Sequence, residues 1–113
     1  MHELSLATSL LELLEERALL DAFSRVQKIV LKVGELSGVS IPALRQGFEF
    51  ATKGTLAEGA KMDIIEPPGS GWCFTCERTV PLRDPFRSCP YCGKSAVTPT
   101  GGMEFMVVEL VVL

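Results

Sequence analysis

Apolar residues recur at helical spacing near the start of the chain. Ala7, Leu10, Leu11, Leu14 and Ala18 fall on one side of a 3.6-residue repeat, and Glu12, Glu15 and Glu16 take the other. This predicts a helix over 4–20, followed by a turn at 21–24. From 26 to 33 the period shortens to two. Ile29, Leu31 and Val33 face one way and Lys28 and Lys32 the other, as in a strand covered on one face. Gly34-Glu35-Leu36-Ser37-Gly38 ends it. Ser40 then reads as an N-cap, with Pro42 in the first turn of a second helix. Its buried stripe is Ile41, Leu44, Phe48 and Ala51, and Gly54 is placed to close it. A short strand is expected over 61–66, stopped by Pro67-Pro68-Gly69. The run 103–113 is β-type and so apolar that a central strand, buried on both faces, is expected.

The order is therefore helix, strand, helix, strand, a cysteine module at 72–97, strand. It predicts an α+β fold of two helices on a small three-stranded mixed sheet. A four-cysteine zinc-ribbon-like module is inserted in it on two linkers, 67–71 and 98–102. Residues 1–69 and 99–113 form one domain and 70–98 the other.

Composition narrows the class. The chain has 113 residues, 47% hydrophobic and 22% charged, which suits a folded globular protein. No apolar run reaches the ~18 residues that span a bilayer. The start of the chain lacks the basic region of a signal peptide, so a cytoplasmic protein without a membrane partner is expected. The net charge of −3 argues against a nucleic-acid partner. Charge is uneven, since 72–97 carries Arg78, Arg83, Arg87 and Lys94 against Glu77 and Asp84. These basic residues are read as offsetting metal-bound thiolates rather than forming a phosphate-binding face. The acidic face of the first helix is read as solvated.

Cys73, Cys76, Cys89 and Cys92 have the spacing C-x2-C-x12-C-x2-C. In a reducing compartment such pairs point to metal rather than disulfides. Each C-x-x-C turn can place two sulfurs on one ion, and two turns complete a closed tetrahedron. Cys89-Pro90-Tyr91-Cys92-Gly93 suits such a knuckle, with Pro pre-setting one turn dihedral and Gly tolerating a left-handed conformation. Twelve residues between the knuckles are too few for the helix and strand of a dithiol redox unit. Four thiolates do not by themselves separate zinc from iron. A nucleic-acid-binding ribbon would want a basic, aromatic-rich face, and this chain is acidic with 7% aromatic residues. A closed site has no open coordination position for catalysis, so structural zinc is preferred. With one histidine and no G-x-S-x-G motif, no enzymatic activity is expected.

That histidine is His2. A histidine beside a chain terminus is ordinarily without a role. Here the α-amine, the His2 backbone nitrogen and the imidazole could chelate one ion through fused rings, with Glu3 adding a backbone nitrogen and a carboxylate. Nitrogen-rich, square-planar coordination favours Ni(II) or Cu(II) over zinc. On this chemistry alone His2 is a candidate and no more.

Met1-His2-Glu3, Val33-Gly34-Glu35-Leu36-Ser37-Gly38-Val39, Gly54-Thr55 with Glu58-Gly59-Ala60, the two knuckles and the apolar last strand together resemble the HypA/HybF nickel metallochaperones. The resemblance covers essentially the whole chain. It implies a cytoplasmic maturation factor that delivers Ni(II) to the large-subunit precursor of NiFe hydrogenase with a HypB-type GTPase. It also implies a nickel site at His2 with the backbone of Met1 and Glu3, and a zinc site at Cys73, Cys76, Cys89 and Cys92. Some relatives carry further histidines near the zinc module. This chain has none, so weakly held, exchangeable nickel is expected, on a monomer or weak homodimer. The competing reading is a zinc-ribbon interaction module or transcription-type adaptor with no nickel role.

Overall fold

The computed structural model of the chain describes residues 2–84 and 88–113, with His2 described through its backbone alone. Met1, the His2 side chain and Arg87, all named above, lie outside the described residues. The chain gathers into two compact units. One comprises Met1–Leu31, Val39–Asp63 and Val107–Leu113, the other Lys32–Gly38 and Ile64–Met106. The second unit thus contains all of 70–98 and extends beyond it.

The first unit is built on two helices, α1 (His2–Asp21) and α2 (Ile41–Ala51), packed on each other. Most of the predicted stripe of α1 is its buried face: Ala7, Leu10, Leu11 and Leu14 are buried and Ala18 is half-buried, while Glu12, Glu15 and Glu16 are exposed. At Gly47 a Cβ would meet the Glu3 carbonyl oxygen and the Leu4 Cα at 3.5 Å, an ordinary van der Waals distance, so α2 faces α1 here without requiring glycine. Ser40 caps α2, its hydroxyl accepting from the Ala43 N–H at 3.4 Å. Leu44 and Phe48 are buried, whereas Ile41 and Ala51 are only half-buried. The C-cap is Thr52, not Gly54. Thr52 is buried and turns its hydroxyl back onto the Phe48 carbonyl at 2.8 Å, which ends the helix before the glycine. Gly54, at φ +76°, serves the turn that follows.

A three-stranded sheet runs in the order β2 (Lys61–Ile65), β1 (Val26–Val33), β6 (Phe105–Val112). The central strand is β1, with Val26, Ile29, Leu31 and Val33 buried. The expectation of a central, doubly buried last strand is therefore corrected. β6 is an edge strand, and Met106, Val108, Val111 and Val112 are exposed. An apolar run reports strand propensity but not rank within the sheet.

The second unit carries a sheet of its own, in the order β4 (Arg78–Pro81), β3 (Ser70–Cys73), β5 (Val97–Gly101). β3 pairs antiparallel with both neighbours, with Cys73 opposite Arg78 on one side and Val97 on the other. The expected linkers, 67–71 and 98–102, are corrected here: most of their residues are paired strand. Ser70 lies opposite Gly101 and, past a register shift, Gly71 lies opposite Pro99. Hydroxyl and glycine residues read as linker composition, but backbone pairing needs no apolar side chain. No described helix is long and apolar enough to cross a membrane.

Candidate metal centre

The four cysteines stand at two turns. β3 delivers Cys73, and the chain reverses through Glu77, at φ 52°, before β4. The Cys76 N–H donates back to the Cys73 sulfur at 3.3 Å. In the second turn the Gly93 N–H donates to the Cys89 carbonyl and the Cys89 N–H to the Lys94 carbonyl, both at 2.9 Å. The Tyr91 N–H points at the Cys89 sulfur from 3.4 Å. Gly93 takes the left-handed conformation expected of it, φ +75°.

All four Sγ atoms lie within 4.8 Å of one another, and none is in a disulfide. Cys73 and Cys92 sulfurs are 3.6 Å apart, and those of Cys76 and Cys89 3.9 Å. A tetrahedron with metal–sulfur bonds of about 2.3 Å has edges of about 3.8 Å, so the donors fit one ion. Among the described residues this is the one group of three or more His, Cys, Asp or Glu side chains close enough to share a metal. Cys73 and Cys89 are buried, and Cys76 and Cys92 are half-buried. Four sulfurs saturate a tetrahedral ion, which leaves no position for a substrate.

The electrostatics favour a cation at the centre. Burial drives the Cys89 thiol up, but backbone N–H groups of Cys92 and Tyr91 aimed at its sulfur outweigh this and bring it down to about 7. Cys76 goes the other way, pushed up to about 12 by burial and by the sulfurs of Cys92, Cys73 and Cys89. The thiolate is thus favoured near neutrality at Cys89 and resisted at Cys76, a conflict that a bound cation removes.

Two features of the centre were not anticipated. The Arg78 guanidinium lies 4.1 Å over the Tyr91 ring, tying β4 to the second knuckle, so Arg78 does more than balance charge. Leu36 joins Cys73, Val80, Leu82 and Cys89 in one buried apolar cluster. The sole available signal for it was a leucine between two glycines in a segment read as a strand break.

At the N-terminal segment, a Glu3 carboxylate oxygen accepts from the Ser40 N–H at 3.2 Å, so the first turn of α1 is fixed to the cap of α2.

A family model described as "HypA: Hydrogenase/urease nickel incorporation, metallochaperone, hypA" matches residues 1–112. The chain is 46% identical over 110 residues to "Hydrogenase maturation factor HypA" of Dechloromonas aromatica, covering 97% of each. It is 42% identical over 113 residues to the protein of the same name from Beijerinckia indica, covering all of both. Among solved structures it is similar to the Ni metallochaperone HypA from Helicobacter pylori in solution, with TM-score 0.68 and 25% identity. That match covers 98% of this chain and 97% of the other. A second solution structure of a HypA protein matches with TM-score 0.70 and 27% identity, over all of this chain and 97% of the other.

Proposed function

The chain belongs to the HypA family of nickel-incorporation metallochaperones, and from that premise we propose how it carries its metal. It serves hydrogenase maturation in the cytoplasm as a carrier of nickel, not as an enzyme. Zinc sits in the closed site of Cys73, Cys76, Cys89 and Cys92, where it holds a zinc domain of residues 70–98 in shape. Nickel is the cargo. It is bound by the nickel domain, 1–69 with 99–113, at the free amine of Met1, the imidazole and backbone nitrogen of His2 and the backbone of Glu3.

The observation that carries this reading is the closed set of sulfur donors. The four thiols form one saturated cluster with no position left for a further ligand, so a second metal needs other donors, and the sequence offers one histidine, His2. Soft sulfur suits zinc, and nitrogen-rich coordination suits Ni(II). With no further histidine in the chain to complete its ligand set, the nickel stays exchangeable, as a carrier requires. Delivery then proceeds by ligand exchange. Docking to a HypB-type GTPase or to the hydrogenase large-subunit precursor brings acceptor thiolates up to the ion, and they displace the nitrogens one at a time.

The test is His2→Ala with a native N-terminus. Zinc content and fold should be unchanged, and nickel binding in isothermal titration should be lost. Unchanged nickel affinity would refute the assignment and leave a zinc-ribbon interaction module as the better description.

A further inference from the structure

The segment 34–38 reads as a strand break and neither metal reading uses it, yet Gly34 and Leu36 in it are buried. Its backbone is bonded to the chain on both sides of the cysteine ribbon. The Gly34 N–H donates to the Glu104 carbonyl at 2.7 Å, the Glu35 N–H to Pro67 at 2.9 Å and the Leu36 N–H to Gly102 at 2.6 Å. The Glu35 carboxylate accepts from the Gly69 N–H at 2.8 Å. The approach leaves no room for side chains. A Cβ on Gly34 would run into the Gly102 carbonyl, and one on Gly69 would run into the Leu82 carbonyl and lie 2.7 Å from Leu36 Cγ. Gly102, at φ +85°, is held against Gly69 in turn. These contacts fix the Leu36 side chain, 7% exposed, in the cluster that contains Cys73 and Cys89.

We propose that Glu35 and Leu36 form a latch on the four-sulfur site, positioning residues that set how fast its ion exchanges while donating no ligand. This rests on the reading that the cysteines hold zinc. The apolar shell around a metal controls the access of water and competing ligands to it. Here Cys73 and Cys89 are buried members of the Leu36 cluster, and Cys76 and Cys92 pack against it half-exposed. A chelator therefore meets the exposed pair first and is stopped at the buried pair. Leu36 completes the apolar cluster that contains that pair, and the Glu35–Gly69 hydrogen bond holds the Leu36 segment in place.

The experiment is zinc transfer from the full zinc-loaded chain to the chromophoric chelator 4-(2-pyridylazo)resorcinol, followed in time. Leu36→Ala should keep its zinc on purification but release it faster, by about 10-fold or more if release carries the loss that outer-shell changes cause in metal affinity. Glu35→Ala should accelerate release less, in the same direction, and Leu36→Met should restore the native rate. Leu44→Ala removes buried apolar volume in α2, outside this cluster, so it should lower thermal stability but leave release near the native rate. A zinc-loaded Leu36→Ala that releases at the native rate overturns the latch. Equal acceleration by Leu44→Ala also overturns it, because general loosening would then suffice. If Leu36→Ala does not fold, Glu35→Ala decides, and its native rate overturns the proposal. A wild-type chain purified without zinc would instead refute the zinc reading, and the latch with it.

Discussion

The two compact units hold themselves together by different means. The first packs ordinary aliphatic side chains: Leu10, Leu11 and Leu14 of α1, Leu44 and Phe48 of α2, and Val26, Ile29 and Leu31 of β1 are all buried. Each contributes on the order of 1.5–3 kcal/mol by leaving water. Among its described residues the second has a buried cluster of five, Leu36, Val80, Leu82 and two cysteines. So small an apolar cluster does not sustain a module of this size without a staple. The lesson is that the first unit is held by hydrophobic burial, while the second brings four sulfurs close enough to share one ion and, on the reading proposed above, draws much of its stability from that metal.

The strongest way to break the comparison is Cys73→Ser. One buried ligand is lost, and structural zinc of this kind contributes about 10–16 kcal/mol of apparent binding free energy. Zinc should be absent by elemental analysis and the amide resonances of the second unit should collapse, while those of α1 and α2 keep their dispersion. Retained zinc and unchanged melting would contradict the account of the cysteines. Next is Leu44→Ala, at a fully buried position of α2. It should cost about 2–5 kcal/mol in chemical denaturation followed by circular dichroism. The zinc content should not change, which is the mirror image of the first result.

The smallest effect sharpens the description of the first unit. Asp63 takes a hydrogen bond from Lys28 at 3.1 Å. That bond, against some desolvation and with help from Lys61 and Arg45, holds its carboxyl below the ordinary 3.8. The folded chain therefore gives up this proton more readily than the unfolded one. The contribution is complete above pH 3.8 and is lost as pH falls through the lowered value. Asp63→Asn should lower the melting temperature slightly at pH 7 and not at pH 2, and an equal loss at both would remove the ion pair from the account.

Periodicity made the scaffold legible. The stripe of α1, the alternation of β1 and the Ser40 cap follow from side-chain spacing, which local physics determines. Cysteine spacing made the metal cluster legible for the same reason, since each knuckle is local. What stayed hidden depended on pairing between distant segments. β6 was apolar enough for the middle of a sheet, but strand rank is set by long-range pairing. Residues 98–101 have linker composition, but β3 pairs with that stretch through its backbone, with one side-chain hydrogen bond between Ser70 and Thr100. Leu36 reaches the cysteine cluster only because Gly34, Gly69 and Gly102 let three chain segments meet, and no window of sequence contains all three.

The central claim is that two metals are held by separate donor sets on one chain. The most direct measurement is metal analysis under equilibrium dialysis of protein with a native, untagged N-terminus, before and after one equivalent of Ni(II), beside the same protein with the Met1 amine acetylated. The account predicts unchanged zinc in every sample, with nickel bound only when the amine of Met1 is free. Nickel that replaces zinc, or that binds equally to the acetylated chain, would contradict it.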